Sequence, residues 1–248
     1  MTPSGGEGDD LLIGGAGADG FSVAGSENGT DTLQGGEGAD YLLVDSNAEL
    51  SILTLDAATS IEIIANRFDF LRGTAGDDVF DISGVIDYSR SSRTALRDGD
   101  DRFLGSQTGD NVFGNEGDDT INSGSGNDTL SGGEGHNILT GGSGSDRFNF
   151  DAVVTGANVD TITDFVAGAE RLRLEESVFA ALSDLGLDDN EFVVGSAATT
   201  ADHRIVYDSS TGNLFYDVDG VGGAAQLQFA KLSAGLDLTA NDFEVFYY

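Results

Sequence analysis

The chain has 248 residues, 44 acidic and 11 basic, for a formal net charge of -33. That balance excludes nucleic-acid recognition through phosphate contacts, which needs a basic surface; the lack of cysteine excludes disulfides and thiolate metal sites. The 37 glycines suggest disorder or an unusual repeat, while a 39% hydrophobic fraction with 15 Phe and 6 Tyr argues against complete disorder.

The first 43 residues are already repetitive. The units "GGEGDDLLI" (5–13), "GGAGADGFS" (14–22), "SENGTDTLQ" (26–34) and "GGEGADYLL" (35–43) each place an acid two positions before an apolar residue. The acids are Asp10, Asp19, Asp31 and Asp40, and their apolar partners Leu12, Phe21, Leu33 and Leu42. The N-terminus itself, "MTPSGGEGDD", has neither a basic region nor an apolar run, so no N-terminal export signal is expected there.

Residues 44–72 change texture. Apolar residues alternate in "LSILTL" and "SIEII", which reads as strand. Asp40 and Asp78 are 38 residues apart, close to two 18-residue coils. This favours a continuous solenoid with hydrophobic coils over a linker between two separate repeat blocks.

The unit "GTAGDDVFD" (73–81) carries Asp78 and opens the second block. Before the repeat settles, "DYSRSSRTALRD" absorbs about five surplus residues; it holds Arg90, Arg93 and Arg97, with Arg102 just beyond. Two readings are open: local neutralisation of neighbouring carboxylates, which is the simpler, or contact with an anionic polysaccharide or lipid surface.

Six uninterrupted units then run from 96 to 149, with register residues Asp101, Asp110, Asp119, Asp128, Asn137 and Asp146. Nine residues are too few for a helical repeat. The glycine-rich half suits turns with positive φ, and the other half suits a three-residue strand with one inward apolar side chain. Two units make an 18-residue coil, and stacked coils make two parallel sheets with the apolar residues between them. One coil buries almost nothing, so the stack must be cooperative. Acids 18 residues apart then sit about 4.8 Å apart. Such rows repel, and with turn carbonyls they form a hard oxygen cage suited to Ca²⁺.

These units resemble the calcium-binding nonapeptide repeats of the repeats-in-toxin (RTX) proteins. The resemblance implies an all-β fold, a right-handed parallel β-roll (β-solenoid) holding several Ca²⁺ ions between turns on each edge. It places the metal ligands at Asp10, Asp19, Asp31, Asp40, Asp78, Asp101, Asp110, Asp119, Asp128, Asn137 and Asp146. Asn137 offers a carbonyl oxygen without charge, so a weaker or missing site is expected there. By a continued step of 18, Asp164, helped by Asp160, closes the last site on the Asp110–Asp128–Asp146 edge; the other edge reaches Thr155 and ends one site earlier.

Beyond 160 the chain reads as a β-rich cap. "EESVFAALSDLG" (175–186) is expected to form a short helix, "RIVYDSSTGNLFYDVDG" (204–220) a hairpin and "AQLQFAKL" (225–232) a strand. "DVDGVG" (217–222) lacks EF-hand spacing and reads as a turn. The ending "NDFEVFYY" (241–248) resembles the uncleaved C-terminal signal of type I-secreted bacterial proteins, which implies the type I apparatus as a partner and a secreted or cell-surface location. The expected organisation is therefore 1–43 calcium repeats, 44–72 non-calcium coils, 73–159 main calcium roll, and 160–248 cap and signal.

No catalytic constellation emerges. His136 and His203 lie outside any "HExxH", and neither "GxSxG" nor "GxxxxGK[ST]" occurs. No segment is apolar enough for a transmembrane helix. The expectation is a non-catalytic calcium module that folds outside the cell; the alternative is a calcium-dependent polysaccharide- or surface-binding module of an adhesin or polysaccharide-modifying enzyme.

Overall fold

The computed structural model describes residues 10–23, 32–44, 52–54, 63–66, 70–88, 93–182 and 186–247. The N-terminal strands are β1 (Leu11–Ala16), β2 (Gly20–Val23), β3 (Thr32–Glu37), β4 (Tyr41–Val44), β5 (Ile52–Thr54), β6 (Ile63–Asn66), β7 (Phe70–Arg72), β8 (Val79–Asp81) and β9 (Asp87–Tyr88). The regular repeats supply β10 (Arg93–Asp98), β11 (Arg102–Leu104), β12 (Asn111–Glu116), β13 (Thr120–Asn122), β14 (Thr129–Glu134), β15 (Ile138–Thr140) and β16 (Arg147–Phe150). The C-terminal part supplies β17 (Asp160–Ile162), β18 (Arg171–Glu175), β19 (Phe192–Val194), β20 (Ile205–Asp208), β21 (Asn213–Tyr216), β22 (Leu227–Lys231) and β23 (Phe243–Phe246).

The result is an all-β parallel solenoid. Alternate strands go to alternate faces: a seven-stranded sheet in the order β23-β18-β16-β14-β12-β10-β7 and a ten-stranded sheet that contains β17-β15-β13-β11-β8-β5. Through the regular repeats the step is 18: Thr94 lies against Val112, Val112 against Leu130, and Leu130 against Phe148. The inward residues Phe103, Val112, Ile121, Leu130, Leu139 and Phe148 are all buried, one per unit. Successive side chains of a strand point to opposite faces, so a three-residue strand turns only its middle residue inward.

The irregular segment 44–72 contributes strands to both neighbours. β6 pairs with β4 before it, whereas β5 and β7 pair with β8 and β10 of the main roll. Steps are longer here; Tyr41 meets Ile63, 22 residues on.

At the C-terminal end the 18-residue step also breaks. Leu139 meets Ile162, a step of 23, and Phe148 meets Leu172, a step of 24. The expected continuation at 18 is thereby corrected. The loop after β16 holds the surplus, tied by a Ser131 hydroxyl bond to Asp151 at 2.7 Å and an Asn158 amide bond to the Val153 carbonyl at 3.1 Å.

The cap follows the predicted hairpin, with β20 and β21 antiparallel and β22 antiparallel to β21. The expected helix at 175–186 does not form among the described residues. That segment makes tight turns, with Phe179 and Leu182 amides donating to Glu175 and Phe179 carbonyls, and among the described residues only Ala240–Asp242 forms a 3-10 turn. So short a helix nucleates poorly, and Phe179 is instead drawn into the aromatic core beside Tyr216 and Phe229. "DVDGVG" is a turn, with Asp219 accepting the Gly223 and Ala224 amides.

Candidate metal centre

Each turn ends on its register residue just before a strand, so stacking the strands stacks these side chains. One edge carries Asp78, Asp101, Asp119, Asn137 and Asp160. Each main-chain N–H donates to the side-chain Oδ1 of the next coil, at 2.6 Å from Asp78 to Asp101, 2.9 Å from Asp101 to Asp119, 2.9 Å from Asp119 to Asn137 and 3.3 Å from Asn137 to Asp160. The other edge repeats this from Asp110 to Asp128 at 2.7 Å and from Asp128 to Asp146 at 2.9 Å. In the N-terminal block the Asp19 amide donates to Asp40 at 2.8 Å. Asp10 precedes β1 and is half-buried; Asp31 lies outside the described residues.

One carboxylate oxygen is thus used by the main chain. The second is different. Oδ2 of Asp19, Asp101, Asp119, Asp128 and Asp146 is buried without a hydrogen-bond partner. A buried anionic oxygen without a donor is costly. Burial accordingly pushes the Asp101 and Asp128 carboxyls up to about 6 and those of Asp110 and Asp119 to about 7, with neighbouring carboxylates of the column adding to the rise. Asp78 and Asp146 are also raised, again chiefly by burial.

Several residues depart from this pattern. Asp78 Oδ2 accepts the Thr74 amide at 2.6 Å, and Asp110 Oδ2 accepts the Ser106 amide at 2.8 Å. In both units Thr or Ser stands where the regular unit has a second glycine, and the turn closes on itself. Asp164 also has both oxygens engaged, by the Gly141 amide at 3.0 Å and the Gly142 amide at 2.7 Å.

The expected register at the C-terminal end needs correction. Asp160, rather than Thr155, follows Asn137, since five extra residues move it there. Glu170, rather than Asp164, follows Asp146: the Arg171 amide donates to the Asp146 carbonyl at 2.9 Å, as the Arg147 amide does to that of Asp128 at 2.8 Å. Glu170 was missed because its spacing is irregular; it is buried and raised to about 7 by desolvation and by Asp146 and Asp164. At Asn137 an amide nitrogen, not an oxygen, takes the second position and donates to Asp160 Oδ1 at 2.9 Å. Burial raises Asp160 to about 7.

A second ladder also escaped the sequence reading. The first acids of the "DD" pairs, Asp77, Asp100 and Asp118, accept amides from the following coil at 3.0, 2.9 and 2.7 Å. The doubled acid was its visible signal.

The predicted arginine cluster is divided. Arg90 lies outside the described residues. Arg93 and Arg97 lie on β10, in a strand rather than a loop, while Arg102 lies on β11 in the other sheet. Arg97 donates to the Gly73 carbonyl at 3.4 Å and offsets only a small part of the burial-driven rise of the Asp78 carboxyl.

Among the described residues no three acidic or histidine side chains converge on one point. A cation here would therefore need main-chain carbonyls as well as the carboxylates, an all-oxygen shell of the kind Ca²⁺ accepts. The profile of the RTX calcium-binding nonapeptide repeat (4 copies) matches residues 4–22, 26–46, 66–81, 97–130 and 123–152. The chain carries RTX calcium-binding nonapeptide repeats. RTX repeats bind multiple Ca²⁺ ions, so calcium is the cofactor of this roll. No curated protein matches the sequence. Solved structures similar to this chain include the AlgE6R3 subunit of the Azotobacter vinelandii mannuronan C5-epimerase, at 21% identity over 71% of this chain and 76% of that one, TM-score 0.29. Another is the extracellular lipase LipA of Serratia marcescens, at 16% identity over 98% of this chain and 40% of the lipase, TM-score 0.33. No helix among the described residues is long and apolar enough to cross a membrane.

Proposed function

We propose that this chain is a calcium-triggered folding module of a type I-exported bacterial protein, non-catalytic in itself. The observation that carries the reading is the set of buried, unpartnered Oδ2 atoms of Asp19, Asp101, Asp119, Asp128 and Asp146. These five are the leading ligands. Asp10, Asp31 and Asp40 extend the set in the N-terminal block, and Asp160, Glu170 and Asp164 close the two edges of the main roll. Asp78 and Asp110, held by their own turns, contribute less, and Asn137 least, because its amide nitrogen faces Asp160.

Bound Ca²⁺ supplies the positive charge that these columns lack. The carboxylates repel one another, and the glycine-rich turns lose much conformational entropy on ordering. At low calcium, as in a bacterial cytosol, the roll stays open and suits export as an unfolded chain. Outside, calcium on the order of millimolar exceeds the 10⁻⁴–10⁻³ M range of extracellular sites, and binding free energy becomes folding free energy. "NDFEVFYY" at the C-terminus is the element assigned to the type I apparatus, and the folded location is extracellular or at the cell surface.

Circular dichroism of the full chain with Ca²⁺ and with chelator tests this. The expected result is a β-rich spectrum that collapses on chelation and returns with Ca²⁺, but not with Mg²⁺. A spectrum indifferent to chelator overturns the reading.

A further inference from the structure

The outward face of the seven-stranded sheet carries a charge opposite to that of the rest of the molecule. From β7 to β18, the strand pairing places twelve residues on this face in two rows. Five are arginines, namely Arg72, Arg93, Arg147, Arg171 and Arg173, and none is acidic, in a chain with 44 acids. Midway along the second row Ser131 and Asn149 are buried, Ser131 donating to Asp151 of the loop after β16, so the open row is the one that holds Arg93, Arg147 and Arg171. The matching face of the other sheet, from β8 to β17, carries one arginine, Arg102, and the acid Asp81.

Neutralisation accounts for part of this set. Arg171 and Arg173 approach Glu244 at 3.7 and 3.4 Å, and Arg173 lies over the Phe246 ring at 4.3 Å. It does not account for Arg72 or Arg147, which are exposed and make no ion pair among the described residues. Arg147 is also the direct cross-strand neighbour of Arg171, a like-charge pairing that costs stability. Arg93 lies over the Phe113 ring at 5.6 Å, which joins an apolar surface to the cationic one.

The shape of the strip selects the ligand. Six strands at about 4.8 Å spacing give a length of about 24 Å, and midway along it only the first row is open, because Ser131 and Asn149 of the second are buried. Along one flank runs the in-register acid row Asp98, Glu116 and Glu134, and the carboxylate column of the turns bounds the other. A broad anionic membrane would press against both acidic flanks, whereas a linear chain lying across the strands avoids them. Guanidinium forks pair bidentately with carboxylates.

We infer that this face binds a linear acidic polysaccharide, with uronate carboxylates on Arg72, Arg93 and Arg147, the arginines of the face that Glu244 does not neutralise. The site rests on the calcium-folded roll, because the strands align the arginines only when the coils are stacked.

The test uses the full chain at fixed free Ca²⁺, with calorimetric titration of a size-defined oligogalacturonate. A neutral malto-oligosaccharide and phosphatidylglycerol vesicles serve as the other arms. Circular dichroism without saccharide establishes calcium-dependent folding separately, so a failure of the calcium reading is seen on its own. The expected result is binding of the uronate alone, weakened by salt and reduced at least tenfold in the Arg93→Gln/Arg147→Gln double variant with an unchanged calcium midpoint. Arg147→Gln alone should show a smaller loss of the same sign, and Arg102→Gln on the other sheet should show none. No uronate binding by the folded chain overturns the inference. So does unchanged affinity in the arginine variants, which would mean calcium bridging to carboxylates. An equal loss with Arg102→Gln, or a preference for vesicles, also overturns it.

Discussion

The regular roll and the C-terminal cap share two continuous sheets but are held together differently. In the roll each unit buries an apolar side chain and a register side chain, a carboxylate in every unit except that of Asn137, and the second oxygen of Asp101, Asp119, Asp128 and Asp146 lacks a protein partner. In the cap, aromatic rings pack directly: Phe150 against Phe229 at 5.0 Å, Phe179 against Tyr216 at 5.0 Å and Phe179 against Phe229 at 5.2 Å. Such ring pairs contribute about 0.5–1.5 kcal/mol beyond the area they bury. The cap is therefore closer to self-sufficient, and the roll is a fold whose interior charge is incomplete. The same parallel ladder can be stabilised by a core or by a cofactor, and here the two modes meet at β16–β18.

The sharpest test of this contrast uses two glycines with similar backbone angles. Gly142 in the roll has φ +88 and a Cβ there would strike the Gly124 carbonyl of the coil below; Gly235 in the cap has φ +81 and open space. Gly142→Ala is expected to raise the calcium midpoint of folding at least tenfold. Gly235→Ala should cost only the left-handed penalty, about 1–2 kcal/mol, visible as a small shift in thermal unfolding. Equal effects would remove the distinction between stacked turns and cap loops.

A smaller effect is expected from pH. The raised carboxyls of Asp101, Asp110, Asp119 and Asp128 mean that the metal-free folded roll binds protons more tightly than the unfolded chain. Their contribution to its stability is present below about pH 4 and is lost as pH rises through about 6 to 7. Chelated protein should thus gain β-structure on acidification from pH 8 to 5, while the calcium midpoint rises because protons compete for the same oxygens. Circular dichroism against pH, with and without chelator, checks both signs. Tyr216 and Phe229 signals of the cap should move least.

The smallest expected change comes from Asn137→Asp. It replaces the amide that now donates to Asp160 by a second carboxylate. Without calcium, repulsion should destabilise that edge; with calcium, one additional ion or a modestly lower midpoint is expected by equilibrium binding. No change in either would mean that this turn is indifferent to charge.

The repeats were legible because the period is local. Nine-residue units announced the strands, the inward Phe103, Val112, Ile121, Leu130, Leu139 and Phe148, and the paired coils. The junction was not legible, because an insertion after Phe150 moves the register by five or six residues without altering the local pattern. Asp160 and Glu170 consequently took positions that counting by 18 assigned to Thr155 and Asp164. The cap helix failed for a related reason: its propensity is local, but Phe179 finds its partners about 37 and 50 residues away, at Tyr216 and Phe229. The two roles of Asp101, Asp119, Asp128 and Asp146, one oxygen for the backbone and one left over, depend on atomic geometry that residue identity does not carry.

β23, Phe243–Phe246, lies at the edge of the seven-stranded sheet, zipped in parallel to β18 through four register pairs. Any machine that must grip those residues as a bare extended peptide competes with β18 for the same hydrogen-bonding row. Under the proposed export function, these residues form a two-position latch, either gripped by the export apparatus or incorporated into the ladder, and closure of the sheet withdraws them from the apparatus.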